Sequence, residues 1–502
     1  MQRKDETVEQ GLQQRLEGAL QELGELPDYQ WIDGRRLAAG QRQRIASCDP
    51  GSGRPLAQIA AGTAADVDAA VAAAKAALKG PWGELSPRAR GRLLWAAGER
   101  IREDIERLAL VETLDSGKPL RDARATVERS ADYFCYYAGI VDKLEGSSVP
   151  LGAGKVCFSE RLPIGVTGHI APWNVPLSML ARGLAPALAC GNTAVAKPAE
   201  DTSLSALLMA ELLAEAGLPA GVLNVVTGRG AVVGQALAEH PDVGHLTFTG
   251  SVATGQRVMT AAAGHLASVT LELGGKSPHL VLADADLQRA VPDVLAAVYK
   301  NAGQICSAGT RLLVERPIHA ELVERLAARC GELRLGHGLD DPDMGPLISA
   351  RQLDAVNGFV ERARQRGIDF ACGGAPVVVD GCEGGHYFAP TIADNVPPDD
   401  ELAQAEVFGP VLSVIPVDDL EQAIEIANGT AYGLAAGVHS RDISRALRYA
   451  RGVEAGQVFV NGYHGAGDTV PFGGMKHSGI GREKGLAALD AYCEIRAVTV
   501  TL

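Results

Sequence analysis

The chain has 502 residues, 46% of them apolar, with 59 glycines and a formal net charge of −14. This length can bury more than one core and points to roughly two to four domains. The acidic balance argues against a general binder of nucleic acid or of anionic membranes, which needs a broad basic surface; its plainest meaning is solubility.

Residues 7–26 predict an amphipathic helix with Leu12, Leu16, Leu20 and Leu23 along one stripe, expected to dock on its own domain rather than on a neighbouring subunit. Stretches 64–78 and 88–114, rich in Ala and Leu, predict two more helices. From Gly165 the pattern changes to short β-branched runs alternating with helices. Strands are expected at 166–170, 193–196, 222–226, 245–248 and 269–273, and helices at 180–190, 203–216, 232–239 and 254–263. Ser203 is placed to cap its helix, and Gly217 and Pro219 to stop it. Such alternation predicts parallel strands joined by crossover helices, the doubly wound α/β arrangement that binds nucleotides at strand C-termini. A second α/β stretch has strand-like runs at 277–282, 311–314, 411–416 and 458–460, and Gly274-Gly275 is the natural hinge between the halves. A final alternating run, 494–502, predicts an edge strand able to pair with another subunit.

The nine cysteines include no CxxC pair and no Cys/His cluster with metal-ligand spacing, so reduced thiols and no metal are expected. The first residues lack the apolar run of a signal peptide, and no stretch reaches the ~18 uninterrupted apolar residues of a membrane span. The cytoplasm is the expected compartment.

Chemistry concentrates in three contexts. Cys306 ends Asn301-Ala302-Gly303-Gln304-Ile305-Cys306, Glu272 opens Glu272-Leu273-Gly274-Gly275-Lys276, and Asn174 sits in Pro172-Trp173-Asn174-Val175-Pro176. Thiol, carboxylate and amide together can attack a carbonyl, hold the resulting oxyanion and deliver water to an acyl-enzyme. Phe248-Thr249-Gly250-Ser251 joins a strand to a helix, where Gly250 permits a tight turn, Ser251 offers a hydroxyl, and the helix N-terminus offers N–H groups to a pyrophosphate. An ordinary strand-to-helix turn has the same pattern. Lys197-Pro198-Ala199-Glu200 ends the preceding strand. Lys197 and Glu200 could bind ribose hydroxyls there, with the carboxylate repelling a 2′-phosphate and favouring NAD; a solvated strand end with an incidental charge pair is the alternative.

In order and approximate spacing these segments resemble the aldehyde dehydrogenase superfamily. Glu406-Val407-Phe408-Gly409-Pro410-Val411, Pro471-Phe472-Gly473-Gly474-Met475-Lys476 and Ser478-Gly479-Ile480-Gly481-Arg482-Glu483 extend the likeness to nearly the whole chain from about Trp31. The resemblance implies an α/β fold in three parts. A Rossmann-type NAD-binding domain spans 1–145 and 165–274, with a helical extension at 1–30. An α/β catalytic domain spans 275–482, and a small β oligomerisation arm comprises 146–164 and 483–502, in a homodimer or homotetramer. It also implies NAD-dependent oxidation of a small-molecule aldehyde to the acid. Cys306 would form a thiohemiacetal and then a thioester, Asn174 and the Cys306 N–H would hold the oxyanion, and Glu272 would be the base toward water. Trp173, Lys197, Glu200, Gly250, Ser251, Leu273, Glu406 and Phe408 would contact the cofactor, Glu406 at the nicotinamide ribose and Phe408 beside the ring. Lys276 is expected to be structural.

The chain departs from the family where the substrate would lie. Many members carry bulky aromatics at the places of Val175 and Lys300, and Trp-Lys at those of Arg182 and Gly183. Arg at the Arg182 position is similar to branches acting on carboxylated semialdehydes or on hydroxylated aromatic aldehydes. Two cations, Arg182 and Lys300, would clamp a carboxylate better than one; equally, each could face solvent or an acidic partner. Val175, His464 and Phe472 complete the expected substrate shell. A CoA-acylating branch is the nearest rival, and it typically lacks a carboxylate at the place of Glu272. A non-catalytic binding or structural member is the other rival, opposed by the intact Cys306, Glu272 and Asn174.

Overall fold

The computed structural model describes residues 2–463, 465 and 467–502, with side chains from Gly11 onward. The alternation that begins at Gly165 builds the first of the two large sheets. Among the described residues its eight strands run in the order Arg35–Ala38, Tyr29–Ile32, Leu223–Val225, Thr193–Lys197, Val166–Ile170, Val243–Thr249, Ser268–Glu272, Gly479–Ile480. The strands from Leu223–Val225 to Ser268–Glu272 are parallel. Successive side chains of Thr193–Lys197 serve opposite faces: Ala194 and Ala196 pack with the helices Pro176–Ala189 and Leu204–Glu215, Val195 with the helix Ala64–Leu78. Both faces are covered, which is why these strands read as apolar runs without polar alternation.

The chain winds outward from Val166–Ile170 in one direction, then returns to Val243–Thr249 on its other side. That reversal opens a crevice at the strand C-termini, and Asn174 and Gly250-Ser251 follow those ends directly.

The second sheet runs Asp369–Cys372, Thr391–Asp394, Val411–Val417, Arg311–Glu315, Pro278–Val281, Ala435–His439, Gln457–Val460 and has its own core. Residues 273–277 carry the chain from the first sheet to the second, so the glycine pair sits at the crossing. A smaller sheet pairs Cys493–Thr501 antiparallel with Lys155–Pro163, and that strand with Ser148–Val149, leaving the C-terminal strand at an edge.

Three local expectations are corrected. The stretch 88–114 is two helices, Pro87–Glu103 and Ile105–Ser116, broken at Asp104 with φ −103° and ψ 19°. Ser203 does not cap its helix: its hydroxyl donates to the Ala199 carbonyl, and the Leu204 N–H donates instead to the Asp115 carboxylate at 3.2 Å. Gly479–Ile480, from the 275–482 segment, crosses back to pair with Leu271 and Glu272 of the first sheet. A strand this short has no readable period. A side chain at Gly479 would sit 2.1 Å from the Leu271 carbonyl oxygen, so only glycine permits the approach.

The N-terminal helix, Gln2–Leu23, docks on its own chain. Leu12, Leu16, Ala19 and Leu23 are buried in the same core as the helix Ile105–Ser116, and Arg15 pairs with Asp340 at 3.0 Å. Truncating one of these leucines forfeits transfer energy and leaves a cavity. Leu16→Ala is expected to loosen the helix by about 2 kcal/mol, read as faster hydrogen exchange over residues 11–23 with exchange in the parallel strands unchanged.

Candidate active site

Cys306 is presented by a backbone that few sequences tolerate. Asn301, Ala302 and Gly303 follow one another at φ +52°, +54° and +74°. Left-handed conformation at two successive non-glycine residues costs free energy and persists only where surroundings fix it. Gln304 supplies the fixing: its Nε2 donates to the Asn301 carbonyl at 3.1 Å and its Oε1 accepts from the Ile348 N–H at 2.9 Å. A side chain at Gly303 would meet the Gly409 carbonyl at 2.1 Å. Asn174 ties this turn to the first sheet, donating from Nδ2 to the Gln304 carbonyl at 2.8 Å while its own carbonyl accepts from Asn301 Nδ2 at 3.0 Å. The roles of Gln304 and Asn301 escaped sequence reasoning because the contacts that fix them, to Ile348 and to Asn174, lie 44 and 127 residues away.

Glu272 ends its strand between Thr249 on one side and Gly479 on the other. It is buried, and neither carboxylate oxygen has a hydrogen-bond partner among the described residues. Burial holds its carboxyl well above the usual range, the nearby Glu483 adds to that, and Arg182 offsets part of it. Burial likewise pushes the Cys306 thiol up to about 12, against the lowering pull of Arg182. Burial thus favours the protonated thiol at Cys306 and the protonated carboxyl at Glu272.

Two cavities meet at Cys306, Asn174 and Met179. The smaller, about 250 Å³, is also lined by Trp173, Gly250, Ser251, Glu272, Leu273, Glu406 and Phe408. Trp173 and Phe408 meet edge to face at 5.3 Å, Phe408 being held at φ +53°. Glu406 accepts from the Gly275 N–H at 3.0 Å, and burial lifts its carboxyl to about 7. Ser251 caps the helix Val252–Ala263. Lys197 and Glu200 lie outside this cavity, at the end of the strand next to Val166–Ile170; Lys197 is buried, which lowers its pKa. Lys276 is also buried, its ammonium pushed down to about 7, behind the crossing between the sheets.

The larger cavity, about 430 Å³, is lined by Val175, Arg182, Lys300 and Phe472, together with Tyr133 and Phe459. His464 lies outside the described residues. Neither expected cation is unpaired. Arg182 is buried in an ion pair with Glu483, its guanidinium 4.7 Å over the Phe472 ring, and Lys300 is half-exposed 3.7 Å from Asp122. Arg182 Nη2 nevertheless has no hydrogen-bond partner among the described residues. At the rim, Arg129 and Lys484 are interleaved with Asp122, Asp132 and Asp468, so no single sign of charge dominates. Glu483, which sequence reasoning left without a role, is the partner that settles the state of Arg182.

No group of three or more His, Cys, Asp or Glu among the described residues is arranged to hold a metal ion, and no described helix is long and apolar enough to cross a membrane.

Comparison with known proteins places this geometry in context. The profile of the aldehyde dehydrogenase family matches residues 37–498. A betaine aldehyde dehydrogenase of Bacillus subtilis is 42% identical over 474 residues, covering 93% of this chain and 96% of its own. The crystal structure of a putative aldehyde dehydrogenase from Burkholderia cenocepacia superposes with a TM-score of 0.92 at 49% identity, over 94% of this chain and 99% of that one. An NAD+ complex of an aldehyde dehydrogenase from Bacillus cereus superposes at 0.93 with 38% identity, over 97% and 98% of the two chains.

A thiol titrating near 12 leaves little thiolate at neutral pH. The alkylation rate of Cys306 by iodoacetamide in the ligand-free protein is expected to rise about tenfold per pH unit between roughly pH 7 and 10, measured by mass spectrometry of its peptide. A rate that levels off between about pH 9 and 10 would show an ordinary thiol.

Proposed function

The chain belongs to the aldehyde dehydrogenase family, and from that premise we propose that it oxidises an aldehyde to the carboxylic acid with NAD, through a thiohemiacetal and then a thioester on Cys306. The observation that carries this reading is the position of Cys306 and Asn174 where two cavities meet, one of them walled by Glu272 and the expected cofactor residues. The residues fit the cofactor. A side chain at Gly274 would sit 2.1 Å from Glu406 Oε2, so bare backbone faces that carboxylate, and Glu200 keeps a buried Oε2 without a partner among the described residues, suited to a ribose hydroxyl. Trp173, Lys197, Glu200, Gly250, Ser251, Leu273, Glu406 and Phe408 would hold NAD, which supplies the hydride acceptor when bound.

Cys306 gives up its thiol proton to bulk water and attacks the aldehyde carbon as thiolate from the wall between the cavities. The oxyanion so formed accepts from the second hydrogen of Asn174 Nδ2 and from the Cys306 backbone N–H, at about 3–4 kcal/mol per donor. Once the thioester stands on Cys306, Glu272 takes a proton from water and the acid leaves. Burial makes its carboxylate, once ionised, a stronger base than a solvated one, and its oxygens have no other hydrogen-bond partner among the described residues.

For the substrate, the pairing of Arg182 with Glu483 supports one of the two branches that carry an Arg at this place over the other. The pair is close to neutral as a unit, and Glu272 is near, so an incoming carboxylate would add an uncompensated charge to a buried site. A neutral hydroxyl could instead accept from Arg182 Nη2 while its ring packs against Phe472, Phe459 and Tyr133. We therefore favour a hydroxylated aromatic aldehyde over a carboxylated semialdehyde.

NADH formation with alkanals, benzaldehyde, hydroxybenzaldehydes and carboxylated semialdehydes tests the reading, with NADP run beside NAD. The hydroxylated aryl aldehydes are expected to lead in kcat/KM by tenfold or more (about 1.4 kcal/mol), and Arg182→Ala to erase that lead. Asn174→Ala should lower kcat by about 10²- to 10³-fold. Glu272→Gln should give a burst of one NADH per site and then stall at the thioester. Absence of NADH from every aldehyde would sink the proposal.

The exposed apolar side chains of the three-stranded sheet, among them Val149, Val156, Ile495 and Val500, support an oligomer formed through this arm. Ile495→Asp is expected to reduce the sedimenting mass; an unchanged mass would place the interface elsewhere.

A further inference from the structure

Away from the active site, two thiols share a pocket. Cys190 is the C-cap of the helix Pro176–Ala189, whose earlier turns bring Met179 and Arg182 to the substrate cavity, and Cys493 opens the C-terminal strand. Both line a cavity of about 310 Å³ together with Trp82, Arg90, Gly191 and Arg161. Cys190 is buried with its sulfur 3.9 Å from the Leu489 carbonyl, and Cys493 is half-buried on the same cavity. The backbones that carry them are stitched together: Asn192 Nδ2 donates to the Tyr492 carbonyl at 2.9 Å, and Trp82 Nε1 to the Gly191 carbonyl at 3.1 Å. The fold itself therefore brings both thiols to one cavity.

Two arginines and one carboxylate, Asp142, also line the pocket. Arg161 lines it while pairing with Asp490 at 2.7 Å, and Arg90, anchored by Nε to the Ala189 carbonyl at 2.9 Å, lies against Gly191. The neighbouring Cys190 side chain lowers the pKa of Cys493, burial opposes it and Arg161 reinforces it, while Cys190 is itself pushed up by the neighbouring Cys493 and by burial. The two thiols are thus unequal: a half-buried one that ionises more readily, and a buried one that stays protonated beside it.

We propose that Cys493 and Cys190 are a redox modification site that closes to an intramolecular disulfide under peroxide. The Cys493 thiolate attacks one oxygen of hydrogen peroxide, the O–O bond breaks and hydroxide leaves, giving a sulfenic acid on Cys493. The Cys190 sulfur then attacks that sulfur, the S–O bond breaks, and the Cys190 proton leaves with the hydroxyl as water. Two thiols and one peroxide become one disulfide and two waters; two electrons pass from sulfur to oxygen, and thiol reductant reverses the change. The bond would tie the last strand of the chain to the helix that bears Arg182.

The test is peroxide treatment of the full-length protein, then alkylation, tryptic digestion and mass spectrometry without reduction. The peptide containing Cys190 is expected to appear linked to the one containing Cys493, with a loss of two hydrogens, and to separate again on reduction. Cys190→Ser and Cys493→Ser should each abolish the link, and Cys190→Ser should leave Cys493 as sulfenic or sulfinic acid. Repeating the treatment in Cys306→Ser keeps the active-site thiol from consuming the oxidant. Both cysteines remaining alkylatable while others oxidise, or a disulfide between Cys330 and Cys372 in its place, would overturn the assignment.

Discussion

Two reciprocal hydrogen bonds join the halves of this molecule at their most consequential point. Asn174 reaches from the end of a first-sheet strand to the Gln304 carbonyl, and Asn301 reaches back to the Asn174 carbonyl. Between them they hold a left-handed run that no local preference favours. Loss of this tie would free the turn to relax toward ordinary conformations and carry the Cys306 sulfur away from both cavities. The amide that would stabilise the oxyanion is thus also part of the scaffold for the nucleophile, and substitutions at Asn174 combine the two effects.

Burial is the second organising constraint. Glu272, Cys306, Glu406 and Glu483 are all lifted by removal from water, and Arg182 is the cation set among them. In such surroundings a single guanidinium cannot both balance the carboxylates and offer a net charge to a ligand. Its stacking on Phe472 and pairing with Glu483 fix its orientation, so what it presents to the larger cavity is a directed hydrogen bond.

The parallel strands around Val166–Ile170 were legible in the sequence because both-face burial writes a continuous apolar run, and the segments that frame Cys306, Glu272 and Asn174 singled out three residues that the fold brings to one cavity. Three things were not legible. The break at Asp104 lies inside an uninterrupted helical composition. The strand Gly479–Ile480 is too short to carry a period and is recruited by glycine-permitted approach. The pairing of Arg182 with Glu483 depends on two residues hundreds of positions apart, and a lone Arg carries no mark of whether it is matched. Pattern reports what repeats along the chain; contact across it has to be seen in three dimensions.

The late strand Gly479–Ile480 has a consequence for the order of assembly during synthesis. The parallel strands of the first sheet can gather as soon as residue 272 has left the ribosome, since all their partners precede it. Until the segment around residue 480 emerges, however, the strand ending in Glu272 keeps an open edge, able to recruit a strand from another nascent chain. Closure of that edge and completion of the catalytic surroundings are the same event. Prematurely terminated chains are consequently left without the assembled centre and with the surface most prone to association, which makes them natural clients for chaperones and proteases.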